Sequence, residues 1–289
     1  MLKTLHHWGI GTVLLLLACT ALAGGPREVR KQAEASMTLT GQIDIAPDGS
    51  VEAVTLDQQD RISEGVARFV HSSVMGWAFE PVVRDGRAVG ARTPLLLRLV
   101  GKPLEDGGMR LSIGSASFST YDPRSVTSVT RRKMTPPTYP SGMYERGVQG
   151  EVYLILKVGR DGNVVDAHVE QVNMTVVASE GQMQQFRRGL GNNALAAARK
   201  WQFNVPVEGP EADQPYWKVR VPVNYAITDH PESEGNAYGK WRAYIPGPRE
   251  RASWISDDEW ENGSDALAQG GVYMAGRGNG PKLLTALEG

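Results

Sequence analysis

Apolar and polar residues begin to alternate at Thr38, in the run Thr-Leu-Thr-Gly-Gln-Ile-Asp-Ile, and the alternation resumes in Ser-Val-Glu-Ala-Val-Thr-Leu beyond Asp48-Gly49. A period of two marks a half-buried strand, and Asp-Gly readily takes the positive φ angles of a tight turn, so this stretch predicts a β-hairpin. The period then lengthens: Ile62, Val66, Phe69, Val70 and Val74 share one face of an amphipathic helix. Trp77 and Phe79 follow, then a turn at Asp85-Gly86 and a strand-like run from Thr93 to Val100.

The same order returns further along. Gly150 to Val158 and Asn163 to Val172 flank Asp161-Gly162 as a second hairpin, and a helical stretch from about Gln182 to Lys200 runs into Trp201-Gln-Phe203. A polar turn from Glu208 to Pro215 then precedes a strand-like run from Trp217 to Ile227. Asp48-Gly49, Trp77 and Phe79 align with Asp161-Gly162, Trp201 and Phe203, which argues for duplication of one supersecondary unit. Between the copies, Met109 to Phe118 predicts a strand, and the Ser/Thr/Arg-rich stretch through Arg131-Arg132-Lys133 reads as a solvated linker.

The expected fold is therefore α+β: two small modules, each a hairpin, a helix and a third antiparallel strand, with a partly irregular C-terminal tail. Ile43, Ile45, Val51 and Val54 in one copy, and Val152, Leu154, Leu156 and Val165 in the other, are offered to the helices. Trp77 and Trp201 stand where helix meets last strand and read as core plugs. The chain divides into a segment 1–23, a first module 38–101, a strand and linker 102–133, a second module 134–228 and a tail 229–289. Tyr238, Trp241, Tyr244, Trp254, Trp260 and Tyr273 make that tail too aromatic for a disordered one, so it is expected to dock. Ser256-Asp-Asp-Glu259 predicts a capping box opening a short helix.

An apolar content of 41% in 289 residues suffices for packed cores. Lys plus Arg (31) and Asp plus Glu (32) nearly cancel, so no global field favours nucleic acid, and none is expected as a partner. At the N-terminus, Lys3 leads into an apolar run from Ile10 to Leu17, and Ala21-Leu22-Ala23 precedes Gly24, the anatomy of an export signal. Cleavage after Ala23 would remove Cys19, the single cysteine, and with it any intramolecular disulfide. Two alternatives stay open. Leu16-Leu17-Ala18-Cys19 is similar to a lipobox, in which Cys19 would be acylated and anchor the protein to a membrane. An uncleaved anchor is disfavoured: Trp8 to Ala23 falls short of the ~20 residues that span a bilayer, and Arg27, Arg30 and Lys31 follow it.

The sequence carries no recognisable catalytic or metal-binding pattern. His71, His168 and His230 are far apart and lack ligand-like neighbours. There is no Gly-x-Ser-x-Gly elbow and no phosphate loop, and Gly276-Arg-Gly278-Asn-Gly280 has no strand before it. Asp257-Asp-Glu259 fits helix N-terminal charge better than a catalytic pair. The sequence predicts a non-enzymatic protein with no cofactor and no metal.

From Pro137-Thr138-Tyr139-Pro140 through Gly147-Val-Gln-Gly150, the Asp161-Gly162 hairpin and Arg199-Lys-Trp201-Gln-Phe203, the second copy resembles the TonB C-terminal domain family. The first copy resembles it from the hairpin onward, lacks the Tyr-Pro lead and reads as a degenerate relative. The resemblance implies a periplasmic module that captures an extended peptide of an outer-membrane receptor, or of another envelope protein, by strand addition. In this sequence it points to Pro137, Thr138, Tyr139 and Pro140 near the partner and to the last strand, with Val221 and Val223 as positions where a proline would test the edge. It departs from the family's transducers: His6 and His7 precede the apolar run, and no Pro-rich spacer follows it. An envelope protein that binds peptidoglycan or an assembly partner is the alternative, and a homodimer is left open.

Overall fold

The computed structural model describes residues 24–104, 107–227, 238–261, 265–275 and 280–287. The signal-like segment with Cys19, together with His6, His7, His230 and the glycine run at Gly276 to Asn279, lies outside the described residues.

The chain starts with a short helix α1 (Pro26–Lys31), then the long strand β1 (Glu34–Ile45) and its hairpin partner β2 (Val51–Leu56). Helix α2 (Glu64–Met75) begins at Ser63, whose side chain accepts the Val66 N–H, and it buries Val66, Val70 and Val74, the face read from the spacing. A two-residue ribbon, β3 (Val83–Arg84) with β4 (Arg87–Ala88), turns at Asp85-Gly86 on positive φ angles. β5 (Ala91–Pro103) then returns beside β1, and β6 (Met109–Ser117) pairs with β5. β5 lies on one side of β1, while β2 covers the end of β1 at Gly41–Ile45 on the other. Met37, Leu39, Ile43, Ile45, Trp77, Phe79, Leu95, Leu97 and Leu99 are buried with the helix in one core.

The second half also runs through a hairpin, a helix and a returning strand, in longer parts. After β7 (Thr130–Lys133) and the one-turn helix α3 (Ser141–Tyr144), β8 (Gly150–Gly159) and β9 (Val164–Met174) form the hairpin. Helix α4 (Glu180–Ala198) is closed at its start by a Ser179/Gln182 capping box. β10 (Gln202–Asn204) leads to β11 (Tyr216–Tyr225), which pairs with β8 over its whole length. A second core gathers Val152, Leu154, Leu156, Leu190, Trp201, Phe203, Trp217, Val219 and Val221. Val29 of α1 belongs to it too, and Gly24 O accepts the Glu180 N–H, so the first described residues dock on the second half.

Two expectations need correction. Val165 is 60% exposed instead of facing the helix, because it is the extra, unpaired residue of the bulge at Lys157/Val158, which turns its side chain to solvent. Arg131-Arg132-Lys133, expected as a solvated linker, lies in β7, antiparallel to β10. Its side chains are exposed, which is why its composition reads as a linker while its backbone is paired.

The tail docks, as its aromatics led one to expect, and it does so mainly through backbone pairing. β12 (Arg242–Tyr244) pairs with the start of β1. Ile245 exchanges both hydrogen bonds with Met174, and Glu250 N–H reaches Glu170 O, along the outer side of β9. Helix α5 (Asp257–Glu261) opens on the predicted box: Ser256 N–H donates to Glu259 and Glu259 N–H to Ser256 Oγ. β13 (Tyr273–Met274) lies against β11, and further on Leu284 N–H bonds to Ala78 O.

Candidate functional site

The second sheet runs in the order β13-β11-β8-β9. β11 alternates: Trp217, Val219, Val221 and Val223 are buried against α4, while Lys218 and Arg220 project to the opposite face. The direction of its backbone groups follows from one contact, because antiparallel residues alternate between facing one neighbour and the other. Ala275 N–H donates to Lys218 O at 2.8 Å, so Lys218, Arg220 and Pro222 turn their backbone groups to the outer edge. Val221 and Val223, paired with Leu154 and Val152, turn theirs to β8. Neither valine presents its N–H outward, and a proline at either would break the interior of the sheet. Along β11 the outward phase runs through Tyr216, Lys218, Arg220, Pro222 and Asn224, and of these Pro222 offers no N–H.

The Pro137–Pro140 lead reaches the far end of the same strand. The Trp201 indole N–H donates to Thr135 O at 2.7 Å, pinning the lead to the end of α4. The Tyr139 hydroxyl donates to Val148 O, and its ring meets Tyr225 of β11 edge-on at 5.4 Å and Tyr144 at 5.6 Å. Tyr225 in turn donates to Asn193 Oδ1 at 2.6 Å. Burial raises the pKa of both Tyr139 and Tyr225, so the phenols stay protonated donors. Tyr144 remains 55% exposed beside this cluster. Pro137 and Pro140 are half-buried and Thr138 is exposed. The structure thus brings Tyr139 to the Tyr225 end of β11; Val221 and Val223 lie in the same strand but in the core.

Sequence reasoning missed the charged face of β11. Arg220 holds Glu170 by two bonds of 2.7 and 2.9 Å with both side chains buried, and Lys218 holds Glu259 of α5 at 2.6 Å. Arg220 also donates to Glu259 O at 3.1 Å. Burial pushes the Glu259 carboxyl up, but the Lys218 bond and its cap on Ser256 outweigh this and hold it below the usual carboxylate range. The signal was present as Trp-Lys-Val-Arg-Val, alternating cations in a strand otherwise apolar. Nearby, Arg98 of β5 bonds Asp265, which also takes the Ser115 hydroxyl, and Glu151 accepts from Tyr153 at 2.8 Å and from Gln269. Among the described residues no group of His, Cys, Asp and Glu is arranged to hold a metal ion. His71 is exposed and His168 meets Glu250 O at 3.1 Å.

No family model matches the chain. Protein TonB of Xanthomonas campestris pv. campestris, in strains B100 and ATCC 33913, is 39% identical over 100 residues, which is 34% of this chain and 38% of the relative. The chain therefore matches well under half the length of these curated relatives, and about a third of it is homologous to the TonB C-terminal domain. The solution NMR structure of Pseudomonas aeruginosa TonB CTD aligns at 20% identity with a TM-score of 0.26, covering 39% of this chain and 99% of that one.

Proposed function

We propose that the second module, residues 134–228, is a non-enzymatic interaction domain that takes an extended segment of an outer-membrane receptor, or of another envelope protein, onto the outer edge of β11. On this reading the protein contributes to TonB-dependent transport across the outer membrane, and the first module, residues 38–101, is a degenerate tandem copy. The homologous 100-residue stretch supports the family. The observation that carries the binding mode is the place of β11 towards the side of the sheet, fully paired with β8 inside and met outside, among the described residues, by the two residues of β13 and the Ala275 N–H. Strand addition relies on main-chain groups of such an edge, and here they belong to Lys218 and Arg220. Tyr139 and Pro140, with Pro137 and Thr138, flank its Tyr225 end, where a longer partner segment would run past the exposed Tyr144. The test compares Lys218→Pro, which removes an outward N–H, with Lys218→Ala, which keeps it. Affinity for a receptor segment should fall several-fold further in the proline variant, and equal affinities would contradict the reading.

The location proposed is the periplasm, reached by export with removal of residues 1–23 or by acylation at Cys19. Mass spectrometry of the mature N-terminus separates the two, and an intact Met1 form retained in membranes after alkaline extraction would refute both.

A further inference from the structure

We propose that β13 is an internal occupant of the β11 edge, a strand supplied by the chain's own tail that a partner strand must displace in order to bind. The inference rests on the strand-addition reading above and concerns the regulation of that same site.

Three observations carry it. First, β13 sits on the groups a partner needs. Ala275 N–H bonds to Lys218 O, Met274 lies opposite Val219 and Tyr273 opposite Arg220, so the tail takes the Lys218 carbonyl and the backbone of Arg220, and the next outward position is Pro222, which has no N–H. An incoming strand that uses the Lys218 carbonyl and the Arg220 backbone must take the positions β13 holds.

Second, the pairing is short. β11 shares ten register positions with β8 and two with β13, so the outer ladder can open while the inner one stays closed. Gly270, at φ 74°, lies three residues before Tyr273, and the segment between them is held locally by Tyr273 itself, whose hydroxyl takes the Ala268 N–H at 3.0 Å.

Third, the occupant is latched by side chains of the edge it covers. Glu259 reaches Lys218 at 2.6 Å from α5, and the backbone of Glu259 takes a bond from Arg220, so the same two residues hold the tail with their side chains and β13 with their backbones. A tail resting on the sheet for packing alone would not need to engage both. Held in cis, β13 competes at an effective concentration of about millimolar, enough to screen out weak strands while yielding to a well-matched partner.

The test uses the full chain and two variants. Ala275→Pro removes the donor to Lys218 O. Glu259→Gln weakens the latch while keeping the Ser-x-x-Gln form of the α5 cap, and it serves if the proline variant fails to fold. Amide exchange at Arg220 should quicken about tenfold in either variant, with the inward-facing Val219 and Val221 unchanged. A labelled synthetic peptide of residues 268–275, Ala-Gln-Gly-Gly-Val-Tyr-Met-Ala, should bind both variants several-fold more tightly than the parent. Unchanged exchange at Arg220 in a folded variant overturns the proposal, and so does peptide affinity that is the same in all three chains. Should exchange and peptide binding behave as expected while receptor segments bind none of the chains, the tail is an occupant of this edge and the receptor reading is the part that fails.

Discussion

Phe203 donates its backbone N–H to the carbonyl of Gly162 at 2.8 Å, fastening the strand that follows α4 to the tip of the β8–β9 hairpin, and Phe79 does the same to Gly49 at the same distance. In both hairpins the turn glycine has a positive φ, 78° at Gly162 and 89° at Gly49, and a Cβ at either would lie 2.1 Å from the phenylalanine carbonyl oxygen. The Asp before each glycine accepts the N–H two residues on, from Ser50 and from Asn163. The same backbone device therefore closes both hairpin tips.

Gly162→Ala should destabilise by about 2 to 4 kcal/mol, since it adds a clash with backbone to an unfavourable φ. Gly86→Ala is the control: its φ is also positive, 73°, but nothing lies near the added Cβ, so about 1 kcal/mol is expected. Urea melts of the two variants should separate accordingly, and equal losses would remove the clash from the account.

Trp201→Ala should cost about 3 to 5 kcal/mol, because the ring is 3% exposed and truncation leaves a cavity that the second core cannot close. Trp201→Phe should cost less, with the loss centred on Thr135 O, which gives up its indole donor. Thermal melting checks the order of the two, and an unchanged melting temperature in the alanine variant would take Trp201 out of the core.

Glu170→Leu should destabilise by about 3 to 5 kcal/mol by leaving the Arg220 guanidinium buried without its carboxylate, at a site where the two are 6% and 5% exposed. The double variant Glu170→Leu/Arg220→Met should recover most of that loss. A double-mutant cycle measures this, and strictly additive effects would contradict a coupled pair.

Glu151→Gln addresses pH. Burial raises the Glu151 carboxyl above its ordinary 4.5, against the opposing bond from Tyr153 and the charge of Arg98. A raised carboxylate pKa means that folding binds a proton, so stability is highest below about 4.5 and declines as pH rises through the folded value. The variant, whose amide can still accept from Tyr153 if Gln269 flips, should melt higher than the parent at pH 7 and like it at pH 4. A lower melting temperature at pH 7 would show that the charged form is stabilised instead.

The hairpins, both helices and the returning strands were legible because each carries its own period and turn residues: Asp48-Gly49 and Asp161-Gly162 mark the tips, and Val66, Val70 and Val74 mark a helix face. Val165 was misplaced because a bulge inverts the alternation without altering composition. The β7–β10 ribbon and the pairing of Ile245 with Met174 left no trace in the sequence, since backbone groups make these contacts and any residue supplies them. For the same reason the sequence put the proline test positions at Val221 and Val223, whose backbone groups pair with β8. The contact of Ala275 with Lys218 shows that Val221 and Val223 face inward, and Pro222 between them, with no N–H to give β8, marks the same phase in the sequence. Lys218 and Arg220 could have been found, because two cations two residues apart in an apolar strand must share a face and need partners there.

The most direct test of the central claim is an amide-resolved titration of the full chain with peptides taken from the periplasm-facing segments of outer-membrane receptors of its host. Strand addition at β11 predicts that a binding peptide perturbs and then protects the amides of Lys218 and Arg220, releases Ala275, and leaves the Met174 and Glu250 amides on the β9 side unchanged. Binding that shifts only Tyr139, Tyr144 and their neighbours, or protection that appears along β9 while Lys218 and Arg220 stay as they were, would contradict it.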